Sequence, residues 1–121
     1  MKTILIVDDE APTRKVIAAA LTKQGYKALE AEDGLEGTRI ATEKLPNLII
    51  TDVYMDNMNG FMMVEQLQMD PATARIPVIM MTSQAQGAGA WQADADIEYL
   101  DKGFAMAKLI ETVEKMLKKA K

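Results

Sequence analysis

The fold is decided by the stretch ILIVDDE at residues 4–10, in which four apolar residues run directly into three acidic ones. A second apolar run, LII at residues 48–50, leads in the same way to Thr51 and Asp52. Short continuous apolar runs rich in β-branched residues are typical of strands buried on both faces of a parallel sheet. Each acidic group therefore follows a buried strand, at the edge where open α/β sheets bind ligands.

Asp8, Asp9 and Asp52 are the candidate metal ligands at this edge. Carboxylates that converge repel one another unless a cation joins them, and oxygen ligands of high charge suit a hard divalent ion such as Mg²⁺. A competing interpretation makes Asp8, Asp9 and Glu10 caps of the following helix, because acidic groups there complement the helix dipole. The presence of Asp52 on a second strand favours the metal site.

Composition narrows the class of protein. The 121 residues, 49% hydrophobic and 26% charged, fit one globular domain over residues 1–121. The absence of cysteine and histidine excludes disulfides, thiol nucleophiles, the usual zinc sites and histidine general bases. The net charge of −4 argues against direct contact with nucleic acid, and no apolar stretch is long enough for a signal peptide or a membrane span. We therefore expect a cytoplasmic protein with no nucleic-acid or membrane partner.

Apolar runs alternate with helical periodicities along the whole chain. Strands are predicted over residues 3–7, 27–31, 48–52, 76–82 and 97–100. Helices are predicted from Pro12 to a stop at Gly25 and over residues 35–43, 60–69 and 105–119, with a turn at residues 33–34. Phe61, Val64 and Leu67 form the expected core stripe of the third helix. A fourth helix within residues 83–94 is marginal, because each of its two glycines costs about 1 kcal/mol relative to alanine.

Chemically distinct side chains fall at the predicted strand ends. Asp8 and Asp9 follow the first strand, Asp52 ends the third, Thr82 ends the fourth and Lys102 follows the fifth. With these residues, and with Met55, Gly60, Ser83 and the stretch YLDKGF at residues 99–104, the whole chain resembles the receiver domain of two-component response regulators, in the chemotaxis response regulator-like superfamily. The resemblance implies a doubly wound, flavodoxin-like (βα)5 fold: a five-stranded parallel sheet in the order 2-1-3-4-5 with five helices on its two faces.

The same resemblance implies a phosphoacceptor site. Asp52 would accept a phosphoryl group from the phosphohistidine of a sensor kinase or phosphotransfer protein, forming an acyl phosphate, and the domain would catalyse its own phosphorylation and dephosphorylation. Asp9 and Asp52 would bind Mg²⁺ directly and Asp8 mostly through water. The backbone carbonyl of Tyr54 would complete the protein ligands.

Three residues would link this site to signalling. Lys102 and the Thr82 hydroxyl would each contact a phosphoryl oxygen. Tyr99 would then swing inward behind Thr82 and change the surface formed by the fourth helix, fifth strand and fifth helix, which an output protein or domain would bind.

The chain departs from the family pattern at three places, and two alternatives stay open. Gly103 stands where a proline usually follows the lysine, Asp56 replaces another usual proline, and the fourth helix is about two residues short. Gly103 and the altered fourth helix favour a pseudo-receiver, an interaction module not regulated by phosphorylation, whereas the retained acidic pair, Asp52, Thr82 and Lys102 argue against it. Asp56 adds negative charge close to the metal site, which would either strengthen cation binding or crowd the site. A flavodoxin-like electron carrier is the second alternative, although the acidic residues 8–10 would repel a bound phosphate.

Overall fold

Strands and helices alternate along the chain in the computed structural model, which describes residues 1–55, 57–82, 97–101 and 106–119. The predicted helix between the fourth and fifth strands falls outside these ranges. The described elements are β1 (Thr3–Val7), α1 (Ala11–Lys23), β2 (Lys27–Ala31), α2 (Gly34–Lys44), β3 (Leu48–Asp52), α3 (Gly60–Gln68), β4 (Val78–Thr82), β5 (Ile97–Asp101) and α4 (Met106–Lys119).

All five strands belong to one parallel sheet in the order β2-β1-β3-β4-β5. This is the predicted order. Every residue of β3 and β4 is buried, as expected of strands that are covered on both faces and whose sequences are apolar up to their carboxyl ends. The edge strand β2 is mostly half-buried. Because the strands are parallel, their carboxyl ends meet along a single edge of the sheet.

The two faces of the sheet carry two separate hydrophobic cores. Alternate strand residues point to opposite faces, so Ile4 and Ile6 of β1 join one core while Leu5 and Val7 join the other. Helices α1 and α4 cover the first face through Ile17, Leu21, Leu109, Val113 and Met116. Helices α2 and α3 cover the second face through Ala41, Met63, Val64 and Leu67. The prediction of helices on both faces is thereby confirmed.

Three local predictions were wrong in detail. Gly34 begins α2 instead of forming a turn, because the Asp33 side chain accepts a hydrogen bond from the Glu36 amide and caps the helix. Strand β4 begins at Val78 and not at residue 76, since the amide of residue 76 closes a turn and Pro77 has no amide hydrogen. Met63 of α3 is fully buried, whereas Phe61 is half-buried at the margin of the same core.

No helix in the described ranges is long and apolar enough to cross a membrane.

Candidate functional site

The carboxyl ends of β1 and β3 bring three aspartates together. Val7 pairs with Thr51 in the sheet, so Asp8 directly follows β1 beside Asp52, the last residue of β3. One carboxylate oxygen from each of Asp8, Asp9 and Asp52 lies within 4.8 Å of the other two. Asp8 and Asp52 are buried and Asp9 is exposed. The structure thus brings together the three side chains that the sequence predicts as metal ligands.

The loop between β1 and α1 brings the side chains of Asp8 and Asp9 toward Asp52, and these three residues form an acidic cluster. Glu10 occupies the N-cap position of α1, yet no side-chain hydrogen bond caps this helix. The Asp8 Oδ1 atom instead accepts a hydrogen bond from the Glu10 amide at 2.9 Å, which holds the loop in a tight turn ahead of the helix. The Glu10 side chain therefore does not cap α1 by a hydrogen bond, and the Asp8 side chain stabilises the turn ahead of the helix.

The donor set of this acidic cluster fits a hard divalent cation. All three candidate side chains offer carboxylate oxygens, which are the ligands that Mg²⁺ and Ca²⁺ prefer. Mg²⁺ is commonly held by one or two carboxylates and keeps several of its waters. The exposure of Asp9 opens the cluster to solvent, so water and a dissolved cation have access to it.

Arg14 is a part of the site that the sequence analysis missed. Its Nη1 atom donates to the backbone carbonyl oxygen of Asp8 at 2.7 Å, and its Nε atom donates to the Glu30 carboxylate at 2.9 Å. Partial burial acts to raise the pKa of Glu30, but the hydrogen bonds and charges of Arg14 and Lys15 outweigh it and hold that pKa below its usual value. Arg14 therefore braces the acidic loop against β2. The signal in the sequence that could have revealed this contact is Glu30, a charged residue inside strand β2.

Thr82 and Tyr99 lie on the two strands next to β3. Asp52 pairs with Met81, so Thr82, the buried last residue of β4, lies one position beyond Asp52 at the same sheet edge. Tyr99 pairs with Met80 and packs, half-buried, against the core beneath α2 and α3. Its hydroxyl oxygen is buried and has no hydrogen-bond partner among the described residues, and burial raises its pKa. The tyrosine is thus turned inward in this structure.

For the remaining predicted site residues, the structure gives either the position without a test of the role or no description at all. Tyr54 lies two residues past Asp52 in the loop between β3 and α3, and the residue is 65% exposed. Its role as a carbonyl ligand stays a prediction. Lys102 lies outside the described residues, as do Asp56 and Gly103, so the effects predicted for them also stay predictions.

Gly60 closes the loop that follows Asp52. Its amide donates to the Val53 carbonyl oxygen at 2.8 Å, and a Cβ atom at this position would lie 2.6 Å from the Asp52 carbonyl oxygen. Only glycine allows α3 to start this close to the end of β3 without displacing the backbone of Asp52.

Comparisons with known proteins agree with this geometry. Residues 4–114 match the response regulator receiver domain family. The phosphate regulon transcriptional regulatory protein PhoB of Pseudomonas aeruginosa is 36% identical over 121 residues, which cover 98% of this chain and 52% of that protein. Protein PilH of the same organism is 34% identical over 119 residues, covering 97% of this chain and 98% of PilH. The chain thus spans about half the length of PhoB and nearly all of PilH.

A solved structure provides a further comparison at the level of the fold. The receiver domain of sensor histidine kinase PA1611 from Pseudomonas aeruginosa PAO1 superposes with a TM-score of 0.86 at 27% identity, covering 96% of this chain and 97% of that one. That structure has a magnesium ion coordinated in its active site cleft.

Proposed function

Because the chain belongs to the response regulator receiver domain family, we propose that Asp52 is its phosphoacceptor and that phosphorylation of Asp52 is its signalling event. One observation carries the proposal: the Asp52 carboxylate lies at the carboxyl edge of the sheet, within 4.8 Å of the carboxylate oxygens of Asp8 and Asp9. Because the chain belongs to this family, the alternative of a flavodoxin-like electron carrier is excluded.

The proposed reaction is a phosphoryl transfer to a carboxylate. An oxygen of Asp52 attacks the phosphorus atom of a phosphohistidine, the phosphorus–nitrogen bond breaks, and its electron pair stays on the imidazole nitrogen of the donor. The product is an aspartyl phosphate. The donor would be a sensor histidine kinase or a phosphotransfer protein, and the phosphorylated domain would act on a downstream output protein or domain.

The acidic cluster cannot receive an anionic donor on its own. Three carboxylates within 4.8 Å of one another would repel an incoming phosphoryl group. We propose that Asp9 and Asp52 hold Mg²⁺ directly, that Asp8 contributes mainly through water, and that the Tyr54 carbonyl completes the protein ligands. When bound, Mg²⁺ would neutralise the charge that develops on the phosphoryl oxygens. The magnesium ion in the PA1611 receiver domain supports this choice of metal.

The remaining residues would transmit the phosphorylated state. Thr82 ends β4, the strand that pairs with the strand of Asp52, so we propose that its hydroxyl moves to a phosphoryl oxygen. Lys102 would supply a positive charge to another phosphoryl oxygen. Tyr99 already packs inward with a buried hydroxyl oxygen. We propose that Tyr99 and Thr82 exchange between two side-chain arrangements and that phosphorylation shifts the population toward one of them. This shift would change the surface around β5 and α4.

Mass spectrometry after incubation with acetyl phosphate tests the phosphoacceptor directly. We expect the mass of one phosphoryl group to be added in the presence of Mg²⁺ and not in the presence of a chelator. Asp52→Asn should abolish the addition. Asp70→Asn is the matched control, because the Asp70 carboxylate accepts a hydrogen bond from the Ala72 amide in the turn after α3 and takes no part in the acidic cluster.

Two results would contradict the proposal in different ways. A mass increase that survives in Asp52→Asn would assign the nucleophile to another residue. A failure of the unaltered protein to accept the phosphoryl group, with Mg²⁺ bound, would favour a pseudo-receiver that acts without phosphorylation.

A further inference from the structure

We infer that the hydrogen bond between Asn57 and Asp33 is a latch that positions the loop between β3 and α3 for binding of the divalent cation. The inference rests on the proposed function, in which the Tyr54 carbonyl of this loop is a ligand. The latch joins two parts of the chain that are 24 residues apart. Asn57 and Asp33 act as positioning residues, since neither is a proposed ligand.

The latch consists of a side-chain bond and a backbone bond next to each other. The Asn57 Nδ2 atom donates to Asp33 Oδ2 at 2.7 Å. One residue further along each segment, the Gly34 amide donates to the Met58 carbonyl oxygen at 3.2 Å. A Cβ atom on Gly34 would overlap this oxygen, so the loop packs directly on the backbone of α2. The start of α2 thus serves as a fixed support for the loop.

Asp33 is held rigidly enough to serve as this support. Its second oxygen, Oδ1, accepts a hydrogen bond from the Glu36 amide at 2.9 Å and caps α2. The Glu36 carboxylate reaches back to the Glu32 amide at 2.8 Å. These two bonds, which resemble a capping box shifted by one residue, fix both the first turn of α2 and the orientation of the Asp33 carboxylate.

Asn57 adopts a left-handed backbone conformation, which its side-chain hydrogen bond to Asp33 helps to stabilise. Its φ angle is +69°, in the left-handed region, which asparagine tolerates better than most residues. The hydrogen bond to Asp33 holds the side chain where the backbone bends. Asparagine at this position therefore both tolerates the left-handed backbone and supplies the hydrogen-bond donor of the latch.

A second anchor lies on the other side of Tyr54. The Val53 amide donates to the Met81 carbonyl oxygen at 3.1 Å, and the Val53 carbonyl accepts from Gly60 at 2.8 Å. Tyr54 thus lies between a fixed residue before it and the latch at Asn57 after it. Its own side chain is mostly exposed and adds little restraint. Loss of the latch would leave the proposed ligand carbonyl held from one side only.

Calorimetric titration of the intact protein with Mg²⁺ tests the latch. Asn57→Gly removes the amide and keeps the left-handed backbone accessible, while Asp33→Ser keeps a helix cap and removes the acceptor. Removal of groups that orient metal ligands commonly weakens affinity about 10–100-fold. Because one ligand of several is affected here, we expect each single variant to raise the Kd for Mg²⁺ about threefold to tenfold. The double variant should resemble either single one.

The phosphorylation rate gives a readout that a purely structural role would not move. At saturating Mg²⁺ the variants should accept a phosphoryl group from acetyl phosphate as fast as the unaltered protein, whereas at low Mg²⁺ they should be slower. Asn47→Gly is the matched control, because the Asn47 side chain also ties a loop to a distant segment, through a 2.8 Å bond from the Thr3 amide at the opposite sheet edge. Its Mg²⁺ affinity should not change.

The outcomes separate the latch from the phosphoacceptor. If Asn57→Gly binds Mg²⁺ as tightly as the unaltered protein, or if the effects of Asn57→Gly and Asp33→Ser add fully, the latch is refuted while the phosphoacceptor assignment stands. If the unaltered protein binds no Mg²⁺, the proposed function itself fails. Should Asp33→Ser fail to fold, Asn57→Gly alone decides the question.

Discussion

Replacing Asp52 by asparagine should make the protein more stable when no divalent cation is present. The folded chain holds the carboxylates of Asp8, Asp9 and Asp52 within 4.8 Å of one another. In the unfolded chain Asp52 is far from the other two, so folding in the absence of a cation works against their repulsion. Asp52→Asn removes one charge, keeps the shape of the side chain and relieves that repulsion.

The size of the effect follows from the distance and the burial. Two unit charges 4.8 Å apart interact by about 3.5 kcal/mol at an effective dielectric constant near 20. Of the partners of Asp52 only Asp8 is buried, so we count that pair alone and treat the repulsion by exposed Asp9 as screened. Local hydrogen bonds, such as the one from the Glu10 amide to Asp8, reduce the repulsion further. We expect the free energy of unfolding to rise by about 1–3 kcal/mol.

Urea unfolding of the two proteins in chelator and in Mg²⁺ measures this difference. A ligand that binds only the folded state stabilises it by RT ln(1 + [L]/Kd), which is about 2.7 kcal/mol at a hundredfold excess over Kd. The unaltered protein should gain more from Mg²⁺ than Asp52→Asn does. The stability advantage of the variant should therefore shrink or reverse as Mg²⁺ is added, while Asp70→Asn should respond to Mg²⁺ as the unaltered protein does.

One result would refute this reasoning. If Asp52→Asn is less stable than the unaltered protein in chelator, the Asp52 charge is compensated inside the fold, and the acidic cluster does not depend on a cation.

Three other variants test separate parts of the structure by urea unfolding. Gly60→Ala puts a Cβ atom 2.6 Å from the Asp52 carbonyl oxygen, so we expect a loss of about 1–3 kcal/mol and slower phosphorylation; unchanged values would contradict the close packing. Tyr99→Phe removes a buried hydroxyl without a partner among the described residues, so stability should stay equal or rise by up to about 1 kcal/mol. Because burial raises the pKa of Tyr99 above 10.0 in the folded state, the unaltered protein should lose stability as pH rises past that value, and the variant should lose less. The ion pairs with Arg14 and Lys15 lower the pKa of Glu30 from 4.5. These pairs therefore stabilise the fold above pH 4.5 and stabilise it less as the pH falls below that value. Glu30→Gln should flatten the acid side of the curve of stability against pH, and an unchanged slope would contradict the stabilising role of these pairs.

The sheet was predictable because short apolar runs in the sequence mark most of its strands. Strands β1 and β3 begin and end where the sequence predicted, since a strand buried on both faces has no polar interruption until it reaches an edge. The bounds of the half-buried edge strand β2 were also predicted correctly, although its sequence includes Lys27 and Glu30. Strand β4 was predicted two residues too long because Ile76 continues the apolar run, although its amide closes a turn with Thr73. Hydrophobicity marks which residues are buried but does not tell a turn from a strand.

Contacts between distant segments were not predictable in the same way. Met63 is fully buried because it packs against Gly37 of α2, where a Cβ atom would lie 2.8 Å from the Met63 sulfur. The periodicity of α3 alone gave Phe61 as the equivalent core residue. The bonds from Arg14 to the Asp8 carbonyl and from Asn57 to Asp33 likewise depend on how α1 and α2 lie against neighbouring loops. No local pattern in one sequence contains that information.

The predictable and unpredictable parts of the site have different physical roles. The carboxylates of Asp8 and Asp52 occupy strand ends because the sheet order places them there, and two hydrophobic cores hold those strands together against the repulsion of the charges. The groups that the sequence did not reveal, Arg14 and Asn57, touch only backbone or structural side chains around the cluster. Strand ends therefore determine which atoms can bind a cation, whereas the contacts between elements determine how closely the loops bring those atoms together. Variation in the second group should alter affinity and rate while the chemistry of the site is retained.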